Sequence, residues 1–166
     1  AFTKLGLSRV MRSIERWISL PDDQYGWIAA AYARGRTLIE RVRPDAILCS
    51  CVPLSSAVAA ALLRRATGVP LVLDFHNEWT RNMYFDPPTA LHARLQSRLE
   101  SWVVDRSDAV VTLNPLHTED YSRRFPEVPV TTLHNGYEPE DYAAVVPPSP
   151  AVGRPVVFTY AGAIYG

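Results

Sequence analysis

Short, unbroken runs of apolar residues alternate along the chain with longer segments in which apolar positions recur at helical spacing. The apolar runs, which we predict to be strands, are residues 46–51, 69–75, 109–113 and 128–133. The amphipathic segments, which we predict to be helices, are residues 24–42, 55–67, 89–104 and 115–125. Continuous apolar runs are typical of strands buried on both faces of a parallel sheet, which right-handed helical crossovers connect. The pattern therefore predicts an α/β fold, a doubly wound parallel sheet with helices on both faces.

Individual residues predict the ends and inward faces of these helices. Pro21-Asp22-Asp23 is a start signal for helix 24–42, Ser55-Ser56 can cap helix 55–67, and Gly68 fits its left-handed end. The residues that we expect to face inward are Trp27, Ala31, Leu38, Ile39 and Val42 in the first helix, and Leu91, Leu95, Leu99 and Trp102 in the third.

A further helix is predicted over residues 4–20. Its apolar face includes Trp17, and its other face carries four basic residues, Lys4, Arg9, Arg12 and Arg16. One interpretation is peripheral contact with an anionic membrane surface through residues 4–20. The alternative, which amphipathicity alone favours, is a helix packed on the sheet with its charged face in water.

The composition changes after residue 142. Residues 143–155 contain Pro147-Pro148-Ser149-Pro150 and predict a stiff linker. Residues 156–160 predict one more strand, which cannot fold without partners. We therefore expect a partial domain over residues 1–142, a linker over 143–155 and the start of a second domain over 156–166. On this interpretation the chain is a fragment of a longer protein.

The overall composition excludes several classes of protein. The chain has 166 residues, 17 Lys+Arg against 17 Asp+Glu and a pI near 7.1, which argues against a nucleic-acid-binding polycation. No apolar run approaches the roughly 18 residues of a membrane-spanning helix, and no secretion signal is recognisable. Its 2 cysteines, Cys49 and Cys51, cannot build a disulfide framework. We predict a cytoplasmic protein.

Polar residues follow the predicted strands, at the edge of a parallel sheet where ligands bind. These residues are Ser50, Cys51, Asp74, His76, Asn77, Glu78, Asn114, His134, Asn135 and Gly136, with Gly162 after the last predicted strand. The densest group is Asp74-Phe75-His76-Asn77-Glu78-Trp79, in which His76 suits contact with a sugar hydroxyl or a phosphate. The alternative is structural, with Asp74 and Glu78 capping the loop while His76 packs beside Trp79.

Other chemistries fit the residues less well. No G-x-S-x-G elbow accompanies Asp74 and His76, which argues against a hydrolase. The four histidines and the Cys49-x-Cys51 pair show no metal-binding spacing, so we predict buried strand cysteines and no metal. Neither a Walker motif nor G-x-G-x-x-G is present.

Several segments together resemble a known enzyme family. They are PDDQYGW (21–27), RPDAILCSCVP (43–53), GVPLVLDFHNEW (68–79), LESWVVDRSDAVVTLN (99–114), TTLHNGYEPEDY (131–142) and FTYAGAIYG (158–166). The chain resembles the later part of the N-terminal domain of a family 4 glycosyltransferase with the GT-B architecture. The resemblance implies an incomplete Rossmann-like acceptor domain followed by the start of a donor-binding domain.

The resemblance also implies a reaction. A sugar would pass from a nucleotide-sugar donor to a glycan or lipid-linked acceptor with retention at the anomeric carbon, without a metal or other cofactor. By position, His76 matches the residue that contacts the donor sugar or its phosphate, although Asn77 competes for this role. Asp74 and Ser50 lie beside it as substrate-binding candidates, Asn135 and Gly136 match the turn toward the hinge, and Gly162 matches the loop that opens the donor site.

Two other functions remain open at this point. A sugar-nucleotide 2-epimerase has the same two-domain shape, and a non-catalytic α/β module that binds a partner or carbohydrate would share the sheet. A role in polysaccharide or glycolipid synthesis is our expectation for the transferase. Because motifs expected on both sides of the chain lie outside it, we predict no transferase activity for residues 1–166 alone.

Overall fold

A computed structural model of the chain describes residue 17 and residues 19–83, 85–144 and 158–161. The chain divides into two compact units, Ala1–Asn135 and Gly136–Gly166. The strands are β1 (Ile47–Ser50), β2 (Leu71–Phe75), β3 (Ala109–Thr112) and β4 (Val130–Thr132). The helices are α1 (Ile28–Val42), α2 (Leu54–Thr67), α3 (Ala90–Val104) and α4 (Pro115–Arg124), with 3-10 turns at Tyr25–Trp27 and Pro139–Tyr142.

The four strands of the first unit form one parallel sheet in the order β1-β2-β3-β4. In its register Cys49, Leu73, Val110 and Val130 form one row across the sheet. The predicted Rossmann-like α/β arrangement, with strands and helices in these places, is confirmed. The order runs in one direction, so the reversal that defines double winding does not lie among the described strands.

Burial alternates along the strands because the described crossover helices cover one face. Leu71, Leu73 and Phe75 are fully buried, whereas Val72 is only partly buried and Leu48 is 74% exposed. Right-handed crossovers that advance in one direction place their helices on the same side of a sheet. The prediction of helices on both faces is therefore not met within the described part of the chain.

Helix α1 packs on α2 rather than on the sheet, and it has no buried residue. At Gly35 the two helices approach closely, since a Cβ there would lie 2.6 Å from Leu63 Cδ1. The predicted inward residues Trp27, Leu38 and Val42 are exposed, and only Ala31 and Ile39 are partly buried. The predicted inward face of α1 was wrong because a helix that packs on another helix buries a narrower stripe of its surface than one that packs on a sheet.

The inward face of α3 also differs from the prediction. Leu91 and Leu95 are exposed, and the buried residues are Glu100, Val103 and Val104 near the carboxyl end of the helix. Leu99 and Trp102 are partly buried against the core, as predicted. The helix contacts the core only through its last turns. The prediction of an apolar stripe buried along the whole helix therefore included residues that are exposed.

A distant carboxylate, not a local serine, caps α2. The N-cap residue is Pro53, and the Asp22 carboxylate accepts a hydrogen bond of 2.9 Å from the Ser55 N–H. The predicted Ser55-Ser56 cap was therefore wrong; Ser55 Oγ instead accepts from Trp27 Nε1–H at 3.0 Å. Gly68 ends the helix in the left-handed conformation, φ 75°, as predicted.

Several predictions fall on residues outside the described ranges. Most of helix 4–20, linker residues 145–155 and Gly162 are among them. Within predicted strand 156–160, the described residues Phe158, Thr159 and Tyr160 are not in a strand and are exposed. No described helix is long and apolar enough to cross a membrane.

Candidate functional site

The carboxyl ends of β1 and β2 hold the first group of predicted site residues. Ser50 and Asp74 are register partners, and the Cys51 N–H donates to the Asp74 carbonyl at 2.9 Å. His76 Nε2 lies 3.2 Å from the Asp74 carboxylate, and the imidazole is half exposed. Asp74 thus orients His76 at the strand end, as the sequence placed them. The alternative, in which Asp74 and Glu78 cap the loop while His76 packs beside Trp79, stays a prediction.

Asn77 and Glu78 belong to a second group that lines two cavities. The larger, of about 350 Å³, lies beside β1 and β2; the smaller, of about 260 Å³, extends toward α4. Asn77, Glu78 and Asn82 line both cavities. Described residues Ser50, Asp74 and His76 line neither of them. The structure therefore separates the candidates His76 and Asn77, which are adjacent in sequence.

The remaining predicted site residues lie at or beyond the unit boundary. Asn135 is the last residue of the first unit and Gly136 the first of the second. Just before them, His134 Nδ1 lies 2.9 Å from the Leu113 carbonyl oxygen. Their roles, and that of Gly162 outside the described residues, stay predictions.

The loop after β2 is held by hydrogen bonds to α3 and α4. The Trp79 N–H donates to Tyr121 Oη at 3.3 Å, and Trp79 Nε1–H donates to Gln96 Oε1 at 2.8 Å. Thr80 Oγ1 donates to the Glu100 carboxylate, and Arg81 pairs with Asp120 at 2.7 Å. These anchors fix the backbone that carries Asn77 and Glu78.

Glu100 is the centre of this anchoring network. It is fully buried, and it accepts hydrogen bonds from Tyr121 Oη at 3.1 Å and from the Arg124 guanidinium. Burial raises the pKa of the Tyr121 phenol, with a contribution from the Glu100 charge, so the phenol remains a donor. Burial opposes the charge on Arg124, but its hydrogen bond to Glu100 raises the pKa of the guanidinium. Sequence patterns missed this network because its members are far apart in the chain.

The two cysteines are free and buried, which confirms their interpretation as small core residues. Burial raises the pKa of the Cys51 thiol well above its ordinary value. A hydrogen bond with Cys51 lowers the pKa of Cys49. Although Cys51 lines the larger cavity, its thiol is therefore a poor nucleophile.

His117, on the first turn of α4, lines the smaller cavity and was missed as a site residue. Its Nε2 lies 3.8 Å from a Glu78 carboxylate oxygen. The polar residue at the end of β3 is Asn114, three residues earlier, whose side chain caps α4 by accepting from the His117 N–H at 3.0 Å. His117 could have been found from the sequence, because the first turn of a crossover helix also faces the carboxyl ends of the strands.

The larger cavity also takes Asp22, Asp23 and Gln24 from the segment before α1. The Asp22 carboxylate accepts hydrogen bonds from the Ser55 and Gln24 N–H groups, at 2.9 Å each. Across the described residues, no three His, Cys, Asp or Glu side chains are arranged to hold a metal ion.

The family model of the glycosyl transferase 4-like domain matches residues 8–136, well over half of the chain. The chain belongs to this family. A comparison with curated proteins found no match. The family model ends at Gly136, where the first compact unit gives way to the second. In this glycosyl transferase 4-like domain, the matched segment includes the sheet, the loop after β2 and both cavities.

Proposed function

We propose that the chain is part of a retaining glycosyltransferase that moves a sugar from a nucleotide-sugar donor to an acceptor. The observation that carries the proposal is the family match over residues 8–136. The polar groups at the carboxyl ends of β1 and β2 support it, since ligands of parallel sheets bind there. The acceptor is a glycan or a lipid-linked sugar in polysaccharide or glycolipid synthesis.

His76 has the central role in this proposal. When a nucleoside diphosphate leaves, negative charge develops on its phosphate oxygens, and a fixed hydrogen-bond donor lowers the barrier. The Asp74 carboxylate lies 3.2 Å from His76 Nε2 and accepts from its N–H, which fixes the orientation of the imidazole. The donor to the phosphate is then the Nδ1–H of the doubly protonated ring. Ser50 and Asn77 remain substrate-binding candidates in this proposal, and Asn135, Gly136 and Gly162 remain candidates by their match to the family pattern.

Three further parts of the proposal have separate grounds. The resemblance implies a reaction without a metal or other cofactor, the cysteine content and the lack of a recognisable secretion signal favour a cytoplasmic protein, and the basic face of residues 4–20 favours peripheral contact with a membrane. Flotation of the protein with anionic liposomes, with and without residues 1–20, tests the last part. Equal recovery of both forms would contradict membrane contact through this segment.

The enzymatic test uses the protein encoded by the complete reading frame that contains residues 1–166. Nucleoside diphosphate release is measured from UDP-, GDP- and ADP-sugars, with and without glycan acceptors and with EDTA. Acceptor-dependent release that resists EDTA and yields a retained linkage supports the proposal. A C2 epimer of the donor would instead indicate the epimerase, and carbohydrate binding without turnover would indicate a binding module.

The matched variants are His76→Ala and His92→Ala. His92 lies on the first turn of α3 and contacts Trp17, outside the candidate site. We expect His76→Ala to lower turnover by about 10²-fold, the usual cost of losing one stabilising donor, and His92→Ala to leave it unchanged. Equal turnover of His76→Ala and wild type would remove His76 from the reaction.

A further inference from the structure

Glu78 lines both cavities. It is mostly buried, and its carboxylate accepts no hydrogen bond from any other described residue. Its one ion-pair contact in this part of the chain is with His117 Nε2, at 3.8 Å, which is too long for a direct hydrogen bond. The carboxylate oxygens therefore keep their capacity to accept hydrogen bonds from a ligand.

The larger cavity has a charge that selects among ligands. Asp22, Asp23 and Glu78 line it, together with the amides of Gln24, Asn77 and Asn82, and none of its described lining residues is Lys, Arg or His. A phosphate or a uronic acid would meet like charge there, which costs several kcal/mol at close range. Hydroxyl groups, by contrast, donate to carboxylates and exchange hydrogen bonds with amides. At about 350 Å³ the cavity lies within the range of small-molecule sites.

His117 supports the Glu78 carboxylate from the other side. Its Nδ1 is buried and has no hydrogen-bond partner among the described residues. A buried N–H without an acceptor is less tolerable than a bare lone pair, so we assign the proton of the neutral ring to Nε2. That nitrogen faces Glu78, and its N–H holds the carboxylate by electrostatic attraction.

We propose that the larger cavity binds the neutral terminal sugar of the acceptor, that Glu78 accepts hydrogen bonds from its hydroxyl groups, and that His117 is the positioning residue for Glu78. The acceptor end is thus an uncharged sugar, and any phosphate of a lipid-linked acceptor lies outside this cavity. This inference deepens the proposed function and rests on it.

Binding to the 166-residue chain tests the inference without any need for turnover. The probes are methyl hexopyranosides and the corresponding methyl hexuronides, which differ by one carboxylate. We expect at least one neutral glycoside to shift the ¹⁵N amide signals of Asn77, Glu78 and Asn82, with at least tenfold preference over its uronide. Absence of such shifts at about 10 mM of every neutral glycoside, or equal affinity for the uronide, would overturn the inference.

The matched charge variants are Glu78→Gln and Glu127→Gln. Glu127 is an exposed residue in the turn before β4, at the opposite end of the strands. Glu78→Gln should reduce the preference for neutral glycosides severalfold, because the repulsion by Glu78 is removed while Asp22 and Asp23 still line the cavity. Glu127→Gln should leave it unchanged. An undiminished preference in Glu78→Gln would show that Glu78 does not select the ligand.

His117 is tested by rescue. His117→Phe should weaken neutral-glycoside binding by about fivefold, and His117→Gln should recover most of it, because the glutamine amide presents an N–H near the position of Nε2. Equal binding by both variants would overturn the positioning role. If sugar binding and its charge preference hold while the complete protein transfers nothing, the proposed function fails and the neutral-sugar site stands. If the complete protein transfers a sugar but binding shows no preference for neutral glycosides, the proposed function stands and the neutral-sugar site is contradicted.

Discussion

Asp108, just before β3, joins three elements through one carboxylate. It accepts hydrogen bonds from Arg64 Nε at 2.7 Å and Nη2 at 2.9 Å on α2, and from the Leu71 N–H at 2.8 Å on β2. The Arg64 hydrogen bonds are the main cause that lowers the pKa of Asp108, with a smaller contribution from Leu71. Because the pair is about one third exposed, solvent screens part of its stabilising effect.

We expect Asp108→Asn to lower the free energy of unfolding by about 1 kcal/mol at pH 7. A carboxylate whose pKa is lowered by folding stabilises the folded state above its ordinary pKa of 3.8, and this contribution is lost as the pH falls through the lowered value. The difference between wild type and variant should therefore shrink below pH 3.8.

Urea titrations at pH 7 and pH 3 measure this difference, with the exposed Asp105→Asn as control. A difference that is as large at pH 3 as at pH 7 would show that the charge of Asp108 is not its cause.

The buried carboxylate of Glu100 gives a larger expected effect. Glu100→Gln leaves the mostly buried Arg124 guanidinium with Asp120 as its remaining ion-pair partner among the described residues. We expect a loss of about 3 kcal/mol in the free energy of unfolding, because breaking a buried pair leaves a charge poorly compensated. Tyr121→Phe, which removes the donor to Glu100 and the acceptor of the Trp79 N–H, should cost about 1–2 kcal/mol. Equal losses measured by chemical denaturation would contradict this ranking.

The sequence predicted positions at the strand ends but not side-chain contacts. Asp74 and His76 were both placed at the end of β2, whereas their contact comes from the structure. Glu100 and Arg124 are 24 residues apart on two helices, and the apolar pattern of α3 pointed to Leu91 and Leu95 instead. Periodicity finds apolar stripes, but it cannot identify a buried acidic residue whose partner lies on another helix.

At the scale of elements, two helices end in a left-handed residue, and only one of these residues is glycine. Arg43 ends α1 with φ 53°, and Gly68 ends α2 with φ 75°. A side chain in this conformation costs roughly 1 kcal/mol that glycine avoids. The sequence predicted Gly68 correctly, whereas at Arg43 no glycine marked the turn.

These two ends predict opposite effects. Arg43→Gly should raise the free energy of unfolding by about 0.5–1 kcal/mol, and Gly68→Ala should lower it by about 1 kcal/mol. No heavy atom of the described residues lies within 4 Å of a Cβ at Gly68, so conformation rather than crowding causes the loss. Paired thermal and urea denaturation measures both. A loss in Arg43→Gly would contradict the strain at this helix end.

At the scale of the whole molecule, β2 and β3 have strand neighbours on both sides, and β1 and β4 have one each among the described strands. We expect the amides of Leu71–Phe75 and Ala109–Thr112 to exchange only through global unfolding, and those of Ile47–Ser50 and Val130–Thr132 to exchange faster. Native-state hydrogen exchange measured by NMR tests this order. Equal protection of β1 and β2 would show that β1 is not a sheet edge in solution.

The parallel sheet was predictable because four apolar runs and their crossovers have clear boundaries, and the family match is consistent with it. Which face the helices cover was not predictable, since Leu48 and Leu73 look alike in sequence but differ in burial. The cavities were not predictable either, because Asp23 enters from a segment that precedes the sheet. The sequence therefore predicts which residues lie at the strand ends, but the residues that line a cavity depend on tertiary packing.

The bonds that tie Trp79, Thr80 and Arg81 to α3 and α4 have a consequence for how this protein tolerates genetic variation. Substitutions at Gln96, Glu100 or Asp120 would displace the loop as effectively as changes within it, although they lie 18 to 43 positions downstream of Asn77 and Glu78. Mutations at positions that do not contact the ligand can therefore change ligand selectivity. Pairs of such changes should show epistasis.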